Sequence, residues 1–276
     1  MTSLLKYNNN LYEDFVKNNS EINLHNMNGL IIPFSNEWKN IGINLSGGAD
    51  SASLTILLCD IISKNNIDCK IHIITHCRGW TIKPWQLPIS IKVYNKLKEL
   101  WPNIIEKRFE NYIPPEIEYT SSGMPFKDHK GEYHSGDQIE IDSFNKYIVY
   151  REKLNATFNA TTLNPSSKDF ISRLVTEQPP KRSRSIKDGN IDDLIFKKNN
   201  YYECTPFVFT EKDVVIKYFY LYDKLNLLNT TRSCEGNIFH LNIKFEDYVD
   251  DMDIPICNHC FWCKERNWAI EKIKNV

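Results

Sequence analysis

Two clusters of residues and one lysine in this sequence have the types and spacing to do chemistry. The first cluster is Ser46-Gly47-Gly48-Ala49-Asp50-Ser51, which closes a short apolar run and opens a helical pattern. A strand-to-helix turn of this composition exposes consecutive backbone N–H groups at a helix N-terminus, where unpaired donors and the helix dipole favour an anion. Phosphate is the natural guest. Gly47 and Gly48 remove the side chains that would block close approach, Ser46 and Ser51 add hydroxyl donors, and Asp50 can brace the turn or help place Mg²⁺. No Lys-Ser/Thr pair follows the turn, which excludes the Walker P-loop. The sequence holds no GxGxxG, so a Rossmann dinucleotide site is unsupported.

The second cluster is in the C-terminal tail. Cys257, Cys260 and Cys263 form two overlapping CxxC units, and Cys234 offers a fourth thiolate. Four thiolates fit a closed tetrahedral Zn²⁺ site; a catalytic zinc would keep one position for water, so the expected role is to staple the tail to the core. A redox CxxC or disulfides are the competing readings, disfavoured by the clustering and by the lack of a secretory signal. His259 reads as a surface residue, and Cys59, Cys69, Cys77 and Cys204 as inert core thiols. Lys212 follows a Thr-Pro segment in the first turn of a helix, where a lysine read alone is usually solvated.

The elements that must position these groups alternate. From Asn40 a strand runs through Gly42 to Leu45, then a helix from Ser51 to Ser63, a buried strand in CKIHIITH and a helix from about Pro88 to Leu100. IEIDSFNKYIVYREKL reads as a helix, ATFNATTL as a third parallel-type strand and SSKDFISRLV as a helix; YYECTPFVF and EKDVVIKYFYLYDKL repeat the alternation. The fold class is α/β, an open, mostly parallel sheet with helices on both faces and the site at the C-terminal ends of the strands, plus a small zinc-stapled tail. Residues 1–39 read as an N-terminal extension, 40–230 as the α/β domain with an aperiodic insertion at about 111–138, and 231–276 as the zinc-binding segment. Glu177 to Asn190, with Lys181, Arg182 and Arg184, reads as a basic connector.

With 276 residues, 41% hydrophobic, the chain can bury a real core, and a formal charge of -1 gives no global field for nucleic acid or anionic membrane. No apolar run approaches the ~20 residues of a bilayer span and no signal peptide is legible, so the expectation is a soluble cytoplasmic protein without membrane partners.

The turn SGGADS resembles the SGGxDS signature of the PP-loop ATP pyrophosphatases, which cleave ATP between the α and β phosphates and transfer AMP. The order of SGGADS, TPFVFTEKDVV, TRSCEG and CNHCFWCKERNWAI is similar to the 7-cyano-7-deazaguanine synthase family within that group. The resemblance covers the turn and most of the last seventy-odd residues. It implies that Ser46, Gly47, Gly48, Ala49, Asp50 and Ser51 bind ATP phosphates, that Asp50 and Lys212 serve catalysis, and that Cys234, Cys257, Cys260 and Cys263 hold zinc. It also implies ATP and Mg²⁺, a 7-carboxy-7-deazaguanine carboxylate and ammonia as reactants, and a homodimer. The middle of the chain departs from the family: HCRGW stands for a Tyr-Gly-Gln element, DSFN for an Arg-Asn element, and NPSSKDF for Tyr-Pro-Asp-Cys-Arg. These departures leave open a diverged ligase that joins the activated carboxylate to an amine on a protein or nucleic acid, as in relatives from antiviral defence systems. They also leave open a tRNA-modifying PP-loop enzyme and a nucleotide-sensing scaffold.

Overall fold

The computed structural model describes residues 20–78, 85–113, 126–127, 133–134, 136–165, 168–172, 194–234 and 256–275. The basic run at Lys181, Arg182 and Arg184, most of the expected insertion, and the first nineteen residues lie outside them.

The chain enters through a hairpin of β1 (Asn23–Met27) and β2 (Leu30–Phe34). Asn28 and Gly29 both take positive φ, 52° and 95°, as a two-residue Asn-Gly hairpin turn requires. The hairpin is tied to the main body: Ile32 and Phe34 are fully buried, and Phe34 packs against Trp38 and Phe158.

Six strands form the central sheet, in the order β5-β4-β3-β8-β10-β9: β3 (Asn40–Asn44), β4 (Lys70–Arg78), β5 (Ile105–Ile113), β8 (Ala156–Phe158), β9 (Ile195–Lys198) and β10 (Tyr201–Cys204). All neighbours are parallel except β9, which pairs antiparallel with β10 at one edge. A separate small hairpin joins β6 (Phe126–Lys127) and β7 (Tyr133–His134). The helices are α1 (Ala49–Lys64), α2 (Gln86–Leu100), α3 (Gly136–Glu152), α4 (Lys168–Ser172), α5 (Lys212–Leu221), α6 (Leu225–Thr230) and α7 (Phe261–Lys274).

Strand period assigns the two faces. Ile41, Ile43, Ile71 and Ile73 point into the larger core, shared with apolar residues of α1, α2, α5 and α7. Ile74 points the other way and meets Ile148 and Val149 of α3, with Leu154 and Tyr201. Gly42 lies on that second face, where a Cβ would come 2.8 Å from Leu154 Cδ1, so the Leu154 side chain, two residues past the end of α3, packs closely there because residue 42 has no side chain. Helices therefore cover both faces, as the β/α alternation predicts.

Within the central sheet, two strands differ from the sequence expectation. β5 begins at Ile105, and its sequence, IEKRFENYI, keeps only Ile105 and Ile113 fully buried. As an edge strand bearing charge it lacks the alternation that marks half-buried strands. β9 is the opposite edge and equally short of apolar signal. The strand order reverses between β3 and β8, so the crevice at their C-terminal ends is the topological switch point. No helix among the described residues is long and apolar enough to cross a membrane.

Candidate functional site

The six residues of the glycine turn lie at the switch point, between the end of β3 and the first turn of α1. Leu45 is held in register by its N–H to Ile74 O (2.8 Å), and its carbonyl accepts from Thr75 Oγ1 (3.0 Å). Gly47 then takes φ +79°, and an added Cβ would lie 2.8 Å from the backbone N of Ser90 and 2.8 Å from Ile89 Cγ2. The turn is thus wedged under α2 and needs glycine for both conformation and space. Within it, Ser46 N donates to Ser51 Oγ (3.3 Å), Gly48 N to Ser46 Oγ (3.4 Å) and Ser51 Oγ to Gly48 O (3.3 Å). Gly48 is the N-cap and no side chain caps α1, leaving the N–H groups of its first turn for a ligand.

Lys212, far away in sequence, is at the first position of α5, which packs against α1 through Ser53 Oγ on Val215 O (3.1 Å). Its ammonium donates to Asp50 Oδ2 at 2.5 Å and lies 3.8 Å from Glu265 Oε2. Lys212 is 1% exposed, so tertiary packing overturns the expectation of a solvated lysine. Asp50 Oδ1 is buried and has no hydrogen-bond partner among the described residues.

The third wall comes from the segment just before the first cysteine. Arg232 N donates to Gly47 O (3.0 Å), which joins the tail directly to the glycine turn. A cavity of about 150 Å³ opens between these parts, lined by Ser46, Gly48, Asp50, Gln86, Lys212 and Arg232 among others. Arg266 of α7 is buried behind it and donates to Thr231 O (3.0 Å), Thr231 Oγ1 (2.7 Å) and Leu228 O (2.6 Å). Burial, reinforced by the neighbouring Arg232 charge, brings the Arg266 guanidinium down to about 10. Lys212 and Arg232 thus line the cavity where the turn presents its donors, with Asp50 on the same wall, while Arg266 holds the Thr231 and Leu228 carbonyls next to Arg232.

A second cavity, about 500 Å³, adjoins the first; Ser46, Asp50 and Gln86 line both. Its walls are mostly neutral and polar, with Asn44, His76, Gln138, Asn159, Thr161 and Thr205. Asn44 Nδ2 donates to Asn159 Oδ1 (2.6 Å), bridging β3 and β8 across the switch point. His76 Nε2 lies 3.1 Å from Asn145 Oδ1, and Asn111 Nδ2 lies 3.1 Å from His76 Nδ1. An Asn111 NH₂ facing Nδ1 and an Asn145 Oδ1 facing Nε2 match the tautomer that carries its proton on Nε2. His76 and Asn145 belong to the HCRGW and DSFN segments, so two of the departures meet at one wall.

The Sγ atoms of Cys234, Cys257, Cys260 and Cys263 lie within 4.8 Å of one another, and form a cluster that could hold a metal ion. Cys257 and Cys263 are 3.8 Å apart, close to the ~3.8 Å edge of a tetrahedron with metal–sulfur bonds of ~2.3 Å. Hydrogen bonds from Cys234 and Cys260, with burial, push the Cys263 thiol well above its ordinary value; thiols this close ionise together only around a cation. Trp85 Nε1 donates to Cys234 O (3.0 Å), so the cluster is also fastened to α2. Cys59, Cys69, Cys77 and Cys204 are all buried.

Gln86, Arg232 and Glu265 escape the sequence reading. Arg232 lies inside the TRSCEG element and Glu265 inside the cysteine motif, so adjacency was their only signal; Gln86 had none.

No family model matches the sequence, and no curated protein matches it. Among solved structures, the U34-tRNA thiolase NcsA from Methanococcus maripaludis, which carries a 4Fe–4S cluster, aligns with a TM-score of 0.41 and 13% identity over 86% of this chain and 72% of that one. NMN synthetase from Francisella tularensis aligns with a TM-score of 0.39 and 13% identity over 87% of each chain. Likeness at that level carries no chemistry to this chain.

Proposed function

We propose that this protein is an ATP-dependent, AMP- and pyrophosphate-forming enzyme of the PP-loop type, and that it activates a 7-carboxy-7-deazaguanine-type carboxylate for attack by ammonia. The observation that carries the reading is the convergence of the uncapped α1 N-terminus with Lys212 and Arg232 on one cavity that adjoins a second, mostly neutral one. A polyphosphate fits the first by charge; a planar, hydrogen-bonding acceptor fits the second by size and neutrality.

In this reading the first-turn N–H groups, Ser46 and Lys212 hold the phosphates, and the carboxylate oxygen attacks the α-phosphorus. The bond from that phosphorus to the bridging oxygen breaks, and pyrophosphate leaves with the electron pair. Ammonia then attacks the acyl carbon, the acyl–oxygen bond breaks, AMP departs and a proton passes to solvent, giving the amide. A second adenylation, on the amide oxygen, lets AMP leave with that oxygen and two N–H protons depart, giving the nitrile. In-line displacement needs positioning and charge stabilisation more than a covalent nucleophile, so no Cys or His is required. Asp50 Oδ1, buried and unpartnered among the described residues, is suited to Mg²⁺, which when bound would offset phosphate charge. The four-cysteine cluster is suited to Zn²⁺ in a structural role, because all four positions are taken by thiolates.

A second reading keeps the adenylation and changes the acceptor to an amine on a protein or nucleic acid. It is favoured by His76, which lines the second cavity at a position where the family resemblance departs and is held there by Asn145 and Asn111.

Mass spectrometry of the protein incubated with ATP, Mg²⁺, ammonium and 7-carboxy-7-deazaguanine tests both. Amide and nitrile with AMP support the first reading; AMP or an adenylate alone supports the second; no ATP turnover refutes the activation of this carboxylate.

A further inference from the structure

We propose that Glu265 is a positioning residue for Lys212: a buried carboxylate on the cysteine-bearing helix that keeps the lysine ammonium at the glycine turn when a ligand draws Asp50 away. The inference rests on the phosphate site proposed above.

The two carboxylates beside Lys212 are not equivalent. The Asp50 side chain is 22% exposed, lines both cavities, and has one oxygen on the ammonium and the other unpartnered among the described residues. It is the partner that an incoming cation or ligand can recruit. Glu265 is fully buried at 0%, sits 3.8 Å from the ammonium and lines neither of the two cavities, so it stays in place when a ligand enters. Without it, a Lys212 released by Asp50 would have only the incoming phosphates to oppose its buried charge, at the N-terminus of α5 and facing that of α1, with Arg232 lining the same cavity. Both helix N-termini and the guanidinium repel a cation, so the phosphates alone would have to hold the ammonium in place.

The placement of Glu265 is itself built. Along α7, Cys263 points into the four-cysteine cluster, Glu265 toward Lys212 and Arg266 toward the carbonyls of Thr231 and Leu228. One helical turn is therefore fixed at both ends, and the acid between them is fixed with it. The overlapping CxxC units of Cys257, Cys260 and Cys263 require no acid at position 265, and glutamate is almost never fully buried unless it is paired. Its burial next to Lys212 gives it a job that the cysteine spacing does not.

Calorimetric titration of inorganic pyrophosphate and ATP into the full-length, metal-loaded protein tests the inference, using wild type, E265Q, K212M and the double variant. E265Q is expected to weaken both ligands about tenfold, with metal content and circular dichroism unchanged; in the K212M background the same change alters affinity less than about twofold, because the group it acts through is gone. Equal losses in both backgrounds, or none in E265Q, overturn the inference and leave the phosphate site standing. Wild-type protein that binds neither ligand overturns both. Should E265Q not accumulate as folded protein, E265D, which keeps the charge but withdraws it by one methylene, gives the same contrast at about threefold.

Discussion

Replacing Gly47 by alanine separates the two reasons for a glycine in this turn, and the geometry sets the size of the effect. At φ +79° an L-residue pays roughly 1–2 kcal/mol for the left-handed region. The new methyl would also lie 2.8 Å from Ser90 N and 3.1 Å from Ile89 C, both backbone atoms of α2 that cannot rotate away. Overpacking of this kind costs about 1–3 kcal/mol, so G47A should lose about 2–5 kcal/mol in total. Gly48 provides the contrast within one residue. Its φ is -79°, and a Cβ there meets only Ser46 Oγ at 3.3 Å and Arg232 O at 3.6 Å. G48A should therefore cost under about 1 kcal/mol, the usual penalty of alanine at an N-cap, while its methyl occupies the phosphate cavity and weakens pyrophosphate binding at least about tenfold. Urea unfolding with a shared m-value reads the stabilities, and calorimetry reads the binding. A G47A protein within about 0.5 kcal/mol of wild type, or a G48A protein that binds pyrophosphate normally, would refute the reasoning.

Further expectations concern the rest of the molecule. One metal ion should bind per chain, and removing it with a chelator should weaken pyrophosphate binding as well as loosen the tail, because Arg232 N on Gly47 O and Trp85 on Cys234 O join the cluster to the turn; metal analysis followed by calorimetry checks this. Burial pushes the Cys69 thiol up to about 12 and raises Cys59 and Cys204 well above their ordinary value, so alkylation near pH 8 should spare these three in native protein and reach the cluster cysteines only after metal removal, as peptide mass mapping would show. Burial lowers His72 below its ordinary 6.5, so the folded state binds fewer protons than the unfolded one; the stability it contributes is complete above pH 6.5 and falls as pH drops toward the folded value. Denaturant titrations from about pH 7.5 to 5 should show that slope, and His72→Gln should lessen it, the remainder coming from His25, which burial lowers in the same direction.

Local chemistry accounts for what the sequence by itself determined. The glycine pair between an apolar run and a helix, the overlapping CxxC units and the β/α alternation are short-range patterns, each readable from neighbours a few positions apart. They located the turn, the four cysteines that come within 4.8 Å, and a parallel sheet with helices on both faces. The edge strands β5 and β9 were not legible, because an edge carries charge and breaks the alternation on which strand reading depends. Only the tertiary structure decided the electrostatics. Lys212 is 162 positions from Asp50, and Glu265 meets it from a third element; Arg232 reaches the turn through a backbone N–H, which no side-chain pattern records. Whether a lysine is solvated or buried between two acids depends on which helices pack together, and that is settled by the whole core, since burial of a charge is tolerated only where distant partners arrive with it.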